Sequence, residues 1–325
     1  MVSKQLRHIA LTACISVVCF RKVRFTATSV AAQTSGAVSH DTIQRFLAQE
    51  RARWSQQLWK RVKKFFKHRK GGYLIIDDTV IGKDDSAWKT EMTSKLWSSS
   101  EKRYLYGQSV VLLIWTDGET RILLDVRFKV KGSAKTKFDL ALEMLRSAKD
   151  RKITPDAVLF DSWYAAAKFM TAIHNLGWHW VCKLKSNRKL NGNTPVKHRW
   201  KTTFGSCRAT LAGGIEALIV KDRKAFFATS QVTWTSKQVK NAYRKRWLIE
   251  EVIKLLKSEF GFETCQARSI PAIQGHAYVC LMSFNTLELF RVKHTLSTLY
   301  HIRSVLFNQT IPLHNAWNLD PSIFA

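Results

Sequence analysis

The sequence predicts an α/β protein: a mixed sheet carrying packed helices, preceded by a basic helical region and interrupted by a β-rich insertion. Three observations lead there. From Gly72 onward, apolar runs of strand length alternate with amphipathic stretches in the order β-β-β-α-β-α-β. The 70 residues before them contain 15 Lys and Arg against Asp41 and Glu50 alone, with helical periodicity. The 325 residues are 46% hydrophobic with only 5 Pro and 14 Gly, which suits a large core spread over about two domains and excludes a fibrous or disordered chain.

Residues 9–20 are largely apolar and follow Lys4 and Arg7, as in a secretion signal. The run is too short to span a bilayer and continues into Arg21, Lys22 and Arg24 instead of a cleavage site, so a buried helix is expected. A break at TSGAVSHD precedes a second helix that starts near Asp41, with Ser39 or His40 near its N-cap, and covers TIQRFLAQERARW. A third, SQQLWKRVKKFFKHRK, ends at Gly71-Gly72. Short basic helices around a Ser/Gly turn suit a helix-turn-helix DNA reader, and equally a helical cap with a solvated face. Arg45 is the candidate DNA contact there.

GYLIIDDTVI, SVVLLIWTDG and TRILLDVRFKV read as strands, the last two joined by a turn at Asp117-Gly118. KFDLALEMLRSAKDRK reads as an amphipathic helix whose apolar face includes Phe138, Leu140, Leu142 and Leu145. DAVLFDSW is a strand, AAAKFMTAIHNLGW a helix and HWVCKLKSN a strand. Residues 188–235 are short, Gly-punctuated and β-leaning, as an insertion would be. One long helix is expected from about Ser236 to Phe260, stopped by Gly261, and another after Pro271. The resulting division is 1–71, basic and helical; 72–187, the first part of the core; 188–235, the insertion; 236–262, a helix completing the core; and 263–325, helical.

The balance of 53 Lys and Arg against 24 Asp and Glu gives a formal +29. Self-repulsion of that size points to a polyanionic partner, nucleic acid before an acidic membrane surface, and argues against an enzyme of neutral small molecules. Six cysteines without a CxxC pair, and histidines without HExxH, argue against disulfide scaffolds and zinc sites. Reduced thiols in a cytoplasmic, nucleoid-associated protein fit better, and any metal is expected on oxygen ligands.

In so acid-poor a chain, LIIDDT and VLFDSW are conspicuous, because each sets an aspartate after an apolar strand: Asp77 and Asp78, then Asp161. Such carboxylates are costly among apolar neighbours unless a cation compensates them. A lone Asp is more simply a turn cap; two at equivalent strand ends favour chemistry. Alternation puts Asp77 and Asp78 on opposite faces, so one of them is expected to aim at a metal. On the long helix, Tyr243, Arg246, Trp247, Glu250, Lys254 and Lys257 share one stripe at about 100° per residue, with Glu251 at its edge. A salt-bridged surface helix explains Glu250 beside its cations, but not Tyr243 and Trp247, unless these two are packing residues.

Tyr243, Arg246, Glu250 and Lys257 match Y-(2)-R-(3)-E-(6)-K in full. With LIIDDTVIGK, LFDSWY and the upstream VSHDTIQRFL, residues 37–290 resemble one large branch of bacterial insertion-sequence DDE transposases. The resemblance implies an RNase H-like core and a catalytic, metal-binding triad of Asp77, Asp161 and Glu250 holding two Mg²⁺, for which Mn²⁺ may substitute. A D-x-T first motif favours Asp77, since Thr79 supplies the T, with Asp78 as competitor. Tyr243, Arg246 and Lys257 would contact phosphates of the transposon end, and Trp247 would stack on a base. Apart from the family, the cluster Lys183, Lys185, Arg188 and Lys189 is either a DNA track or a solvated loop, as is Arg268, while Trp163 and Tyr164 are expected to pack at the sheet edge.

These readings converge on a DNA transposase that cleaves phosphodiesters at element ends and joins the 3′-OH to target DNA. Its partners would be double-stranded DNA, as terminal inverted repeats and target, and a second copy in a homodimer on DNA; no membrane partner is expected. An RNase H-like nuclease without strand transfer and a non-catalytic DNA-binding relic are the alternatives.

Overall fold

In the computed structural model, residues 4–20, 24–83, 90, 92–98, 102–299 and 302 are described. Arg21, Lys22 and the part of the expected C-terminal helical region beyond 302 lie outside them. Helices α1 (Lys4–Phe20), α2 (Ala27–Ala32), α3 (His40–Leu47) and α4 (Arg51–Phe66) come first. Then follow β1 (Tyr73–Gly82), β2 (Ser94–Ser98), β3 (Arg103–Thr116), β4 (Arg121–Lys129), α5 (Lys137–Asp150), β5 (Ala157–Phe160), α6 (Ala167–Asn175) and β6 (Trp180–Leu184). Residues 188–235, expected to be an insertion, contribute β7 (Lys189–Leu190), β8 (Thr194–Pro195), β9 (Phe204–Leu211), β10 (Ile215–Asp222) and β11 (Ala225–Thr229). Helices α7 (Ser236–Arg244), α8 (Trp247–Ser258) and α9 (Ile270–Lys293) complete the described chain.

The sheet is large and mixed. Its strands run β2-β3-β1-β5-β6-β11-β10-β9, with β4 also on β3. Parallel pairs join β1 to β5 and β5 to β6; the other pairs are antiparallel. Alternation divides the core between two faces. Leu74 and Ile76 of β1 join Leu113, Val158 and Phe160 under α5 and α6. Ile75 and Ile81 join Leu112, Leu159 and Val181 under α1, α8 and α9.

Four departures from the sequence expectations have physical causes. Strand β2 was not foreseen; its five residues, SKLWS, mix polar and apolar without a run. The expected second helix stops at Leu47, because the chain turns extended at Glu50, the N-cap position of α4, and Arg51, Ala52, Arg53 and Trp54 belong to α4. Strand β1 continues to Gly82, so Asp77 and Asp78 sit within it, held by β3 along its full length. The long helix is two helices: at Lys245 and Arg246 the amide N–H groups bond three residues back, to Ala242 and Tyr243, and the chain tightens for one turn. Its N-cap is Thr235, in a capping box with Gln238.

α9 holds both ends of the chain's core. It is buried on all sides from Gly275 to Glu288, with His276, Asn285 and Glu288 as partnered polar groups within the span, and α1, α3, α4 and β4 pack on it. α1 is the buried helix expected of residues 9–20, with Cys14, Ile15 and Cys19 fully covered. No described helix is long and apolar enough to cross a membrane, and no disulfide joins the six cysteines. Asn285 closes the outer edge of β4, accepting from the Leu123 amide at 2.9 Å and donating to its carbonyl at 2.8 Å, so a side-chain amide replaces a neighbouring strand.

Candidate active site

The β1–β5 register sets the first two carboxylates side by side. Ile75 pairs with Leu159, so two residues further along each chain stand Asp77 and, just beyond the end of β5, Asp161. Asp77 lies on the Ile75 face, towards α8, and its Oδ2 accepts from Arg246 Nη1 at 2.9 Å. The other Arg246 nitrogen, Nη2, donates to Glu250 one turn on. One guanidinium thus ties a strand carboxylate to a helix carboxylate. Asp161 is fixed by its own loop: its Oδ1 accepts from the amides of Trp163 at 2.9 Å and Tyr164 at 3.2 Å.

Asp78 faces the opposite side of the sheet, as alternation requires. There it pairs with Lys137 at the start of α5 and accepts from the Tyr164 hydroxyl at 3.3 Å. Of the two competing aspartates, Asp77 is therefore the one that shares a face with Glu250. Lys137 and Tyr164 were missed as polar partners. Only the adjacency of Tyr164 to Asp161 in FDSWY hinted at its place, and nothing marked Lys137.

Burial pushes the Asp77 carboxyl up to about 7; Arg246 and the Asp78 amide oppose the rise, while the charges of Asp161 and Asp78 add to it. Burial alone would lower the Arg246 guanidinium, but Tyr243, Asp77 and Glu250 hold it above its ordinary value. Its Nε–H is buried without a hydrogen-bond partner among the described residues. Negative charge is nonetheless crowded here, with two carboxylates on one guanidinium and the charges of Asp161 and Asp78 acting on Asp77. Among the described residues, no three His, Cys, Asp or Glu side chains are arranged so that they could already hold a metal; Arg246 stands between Asp77 and Glu250. The donor chemistry nonetheless fits a hard divalent cation, since all three acids offer oxygen and the charged form of Asp77 is disfavoured by burial, with Asp161 and Asp78 adding to it.

The remaining candidates are dispersed. Tyr243 is half-buried, its ring 4.9 Å from Phe227 and 5.7 Å from the Arg246 guanidinium, and burial pushes its hydroxyl up to about 12. Trp247, 59% exposed, is open to a ligand. Lys257 reaches the Val80 carbonyl at 2.8 Å and Glu263 at 2.8 Å, which locks α8 to β1 and turns this cation inward. Lys183 and Lys185 are exposed at the C-terminal end of β6, the end at which Asp161 follows β5, with Arg188 half-buried behind them. Arg45 is exposed on α3 and shares a cavity with Arg268, remote in sequence from the three acids. Tyr164 is fully buried, and Trp163 stacks on Phe138 at 4.7 Å while remaining 44% exposed.

Residues 68–286 match the family described as Transposase DDE domain. Among solved structures, a piggyBac transposase synaptic complex with hairpin DNA is similar at a TM-score of 0.52 and 9% identity, over 99% of this chain and 77% of that one. Ciona intestinalis endonuclease V with inosine-containing DNA scores 0.29 at 10% identity, over 63% and 97%. The Mos1 transposase paired-end complex scores 0.21 at 13% identity, over 55% and 59%. The last two values describe partial resemblance. No curated protein matches the chain.

Proposed function

The chain belongs to the transposase DDE domain family, and from that premise we propose that it cuts DNA at the ends of a mobile element and joins the freed 3′-OH to target DNA. The observation that carries this reading is the meeting of Asp77 and Glu250 on one guanidinium, with Asp161 in register beside Asp77. Asp77, Asp161 and Glu250 would hold divalent cations, two Mg²⁺ in our reading, on an RNase H-like core of the insertion-sequence branch. Bound cations would supply charge stabilisation for the attacking and leaving oxygens of an in-line displacement.

The chain's own residues do the rest. Tyr164 and Trp163 amides hold the Asp161 carboxylate in place. Lys257 and Lys245 anchor α8 and its preceding turn to the Val80 and Asp117 carbonyls, so Glu250 keeps its distance from β1. Arg246 neutralises Asp77 and Glu250 in the metal-free protein, and its guanidinium is available to a phosphate once cations replace it. Exposed Trp247, with Lys183, Lys185 and Arg188 along the same end of the sheet, offers base stacking and backbone contacts. Terminal-repeat recognition falls to the basic N-terminal helices including Arg45, and two copies synapse two ends.

Incubation with Mg²⁺ and DNA carrying the element's ends tests the reading. Cleaved and joined products are expected. Cleavage without joining would favour a simple nuclease, and binding with neither product a non-catalytic DNA-binding protein.

A further inference from the structure

Strands β2 and β3 carry an exposed surface that the carboxylate site leaves unused. Trp97, Tyr104 and Tyr106 are 51%, 63% and 49% exposed. They are not scattered. Trp97 pairs with Tyr104 and Lys95 with Tyr106 across the antiparallel ladder, so all four side chains stand on one face. The Trp97 and Tyr104 rings meet edge to face at 5.2 Å, and Lys95 Nζ lies 5.8 Å from the Tyr104 ring. Exposing three adjacent rings forfeits burial that a monomer of this size has ample core to provide.

The face has a definite relation to the acids. β3 pairs without interruption from Arg103 to Gly107 with β2, and from Gly107 to Thr116 with β1. Leu112 is the partner of Asp77 on that ladder, and Tyr104 and Tyr106 are separated from Leu112 by even numbers of residues. By pleat alternation the rings therefore share the sheet face of Asp77. They lie beyond the C-terminal end of β1, roughly 20–26 Å along β3 at about 3.3 Å per residue.

We propose that Trp97, Tyr104 and Tyr106, flanked by Lys95, form a stacking platform for unpaired bases of a DNA strand leaving the carboxylate site. Sheet-borne aromatic residues beside cations accept any base through its π-face, which needs an unpaired strand and no particular sequence. Charge favours this occupant, since the chain is +29 and, among the described residues paired on this face of β2 and β3, Lys95 is a cation and none is an acid. The proposal rests on the reading that the chain acts on DNA ends.

The test measures affinity at fixed salt for a blunt duplex and for the same duplex with an eight-nucleotide single-stranded extension, in the absence of divalent metal so that cleavage is not read. The wild type is expected to prefer the extended DNA by about tenfold or more, the value of one stacked base. The double variant Trp97→Ala, Tyr104→Ala should lose that preference while binding blunt duplex as before; Trp97→Phe, Tyr104→Phe should keep it. Equal binding of both DNAs by the wild type would overturn the platform alone. Absence of binding to either would overturn the DNA reading and the platform together. Self-association abolished by the alanine variant, without an extension preference, would assign the face to a second copy and overturn the proposal.

Discussion

Two groups of buried and half-buried carboxylates in this molecule are treated in opposite ways. Where α9 meets β4, Glu288 is fully buried and saturated: it accepts from the Arg121 amide at 2.9 Å, from the Arg121 guanidinium at 3.2 Å and from Arg291 at 2.9 Å. Asp125, also buried, is matched by Arg127 at 2.9 Å and by the Tyr278 hydroxyl. Within β1, Asp77 shares one arginine with Glu250, stands beside Asp161 and Asp78, and is pushed up to about 7. The first arrangement closes a core. The second leaves carboxylates short of positive charge, which is what a cation site needs before its cation arrives.

The difference predicts opposite responses to loss of a carboxylate. Asp161→Asn should abolish cleavage, by about 10³-fold or more given the several kcal/mol that metal ligation contributes, while the melting temperature and DNA affinity hold. Residual cleavage near the wild-type rate in a Mg²⁺ assay would remove Asp161 from the site. Glu288→Ala should cost about 3–5 kcal/mol in denaturant unfolding, because it empties a fully buried carboxylate position and takes the shared partner from half-buried Arg121 and Arg291. A loss below about 1 kcal/mol would mean the α9 network does not hold the core.

Asp77→Asn should do the reverse and stabilise the metal-free protein at pH 8, by about 1–3 kcal/mol. The folded carboxyl titrates near 7 against an ordinary value of about 3.9, so it binds more protons folded than unfolded between those values. Wild-type stability therefore falls as pH rises from about 4 to about 7. The variant should lack that component, so the two unfolding curves converge at pH 4 and separate by pH 8. Smallest is Trp247→Ala: DNA affinity should weaken about tenfold with unfolding unchanged within about 0.5 kcal/mol.

Much of this contrast was legible in the sequence. Scarcity of acids drew attention to Asp77, Asp161 and Glu250, and strand alternation already required that Asp77 and Asp78 part company. Alternation alone could not choose between them: the family resemblance favoured Asp77 through Thr79, but which of them faces Glu250 depends on where α8 packs, a tertiary fact. The break at Lys245-Arg246 was hidden for the same reason: the residues favour continuous helix, and the turn tightens where Lys245 reaches Asp117 and Arg246 reaches Asp77. Lys257, on the helical stripe, is by resemblance a phosphate contact; β1 also offers it the Val80 carbonyl, which no local pattern announced. β2 escaped because an edge strand with one exposed face has no apolar run to announce it.

Burial of Asp77 among neighbouring carboxylates prepares this position for a divalent cation. Calorimetric titration of the metal-free protein with Mn²⁺ at pH 8 tests it directly, comparing wild type, Asp77→Asn, Asp161→Asn and, as control, Glu251→Gln, an exposed carboxylate beside Glu250 that faces Arg121. Saturable binding by the wild type and the control, weakened about tenfold or more in both aspartate variants, is the expected result. Equal Mn²⁺ binding by all four proteins would contradict it.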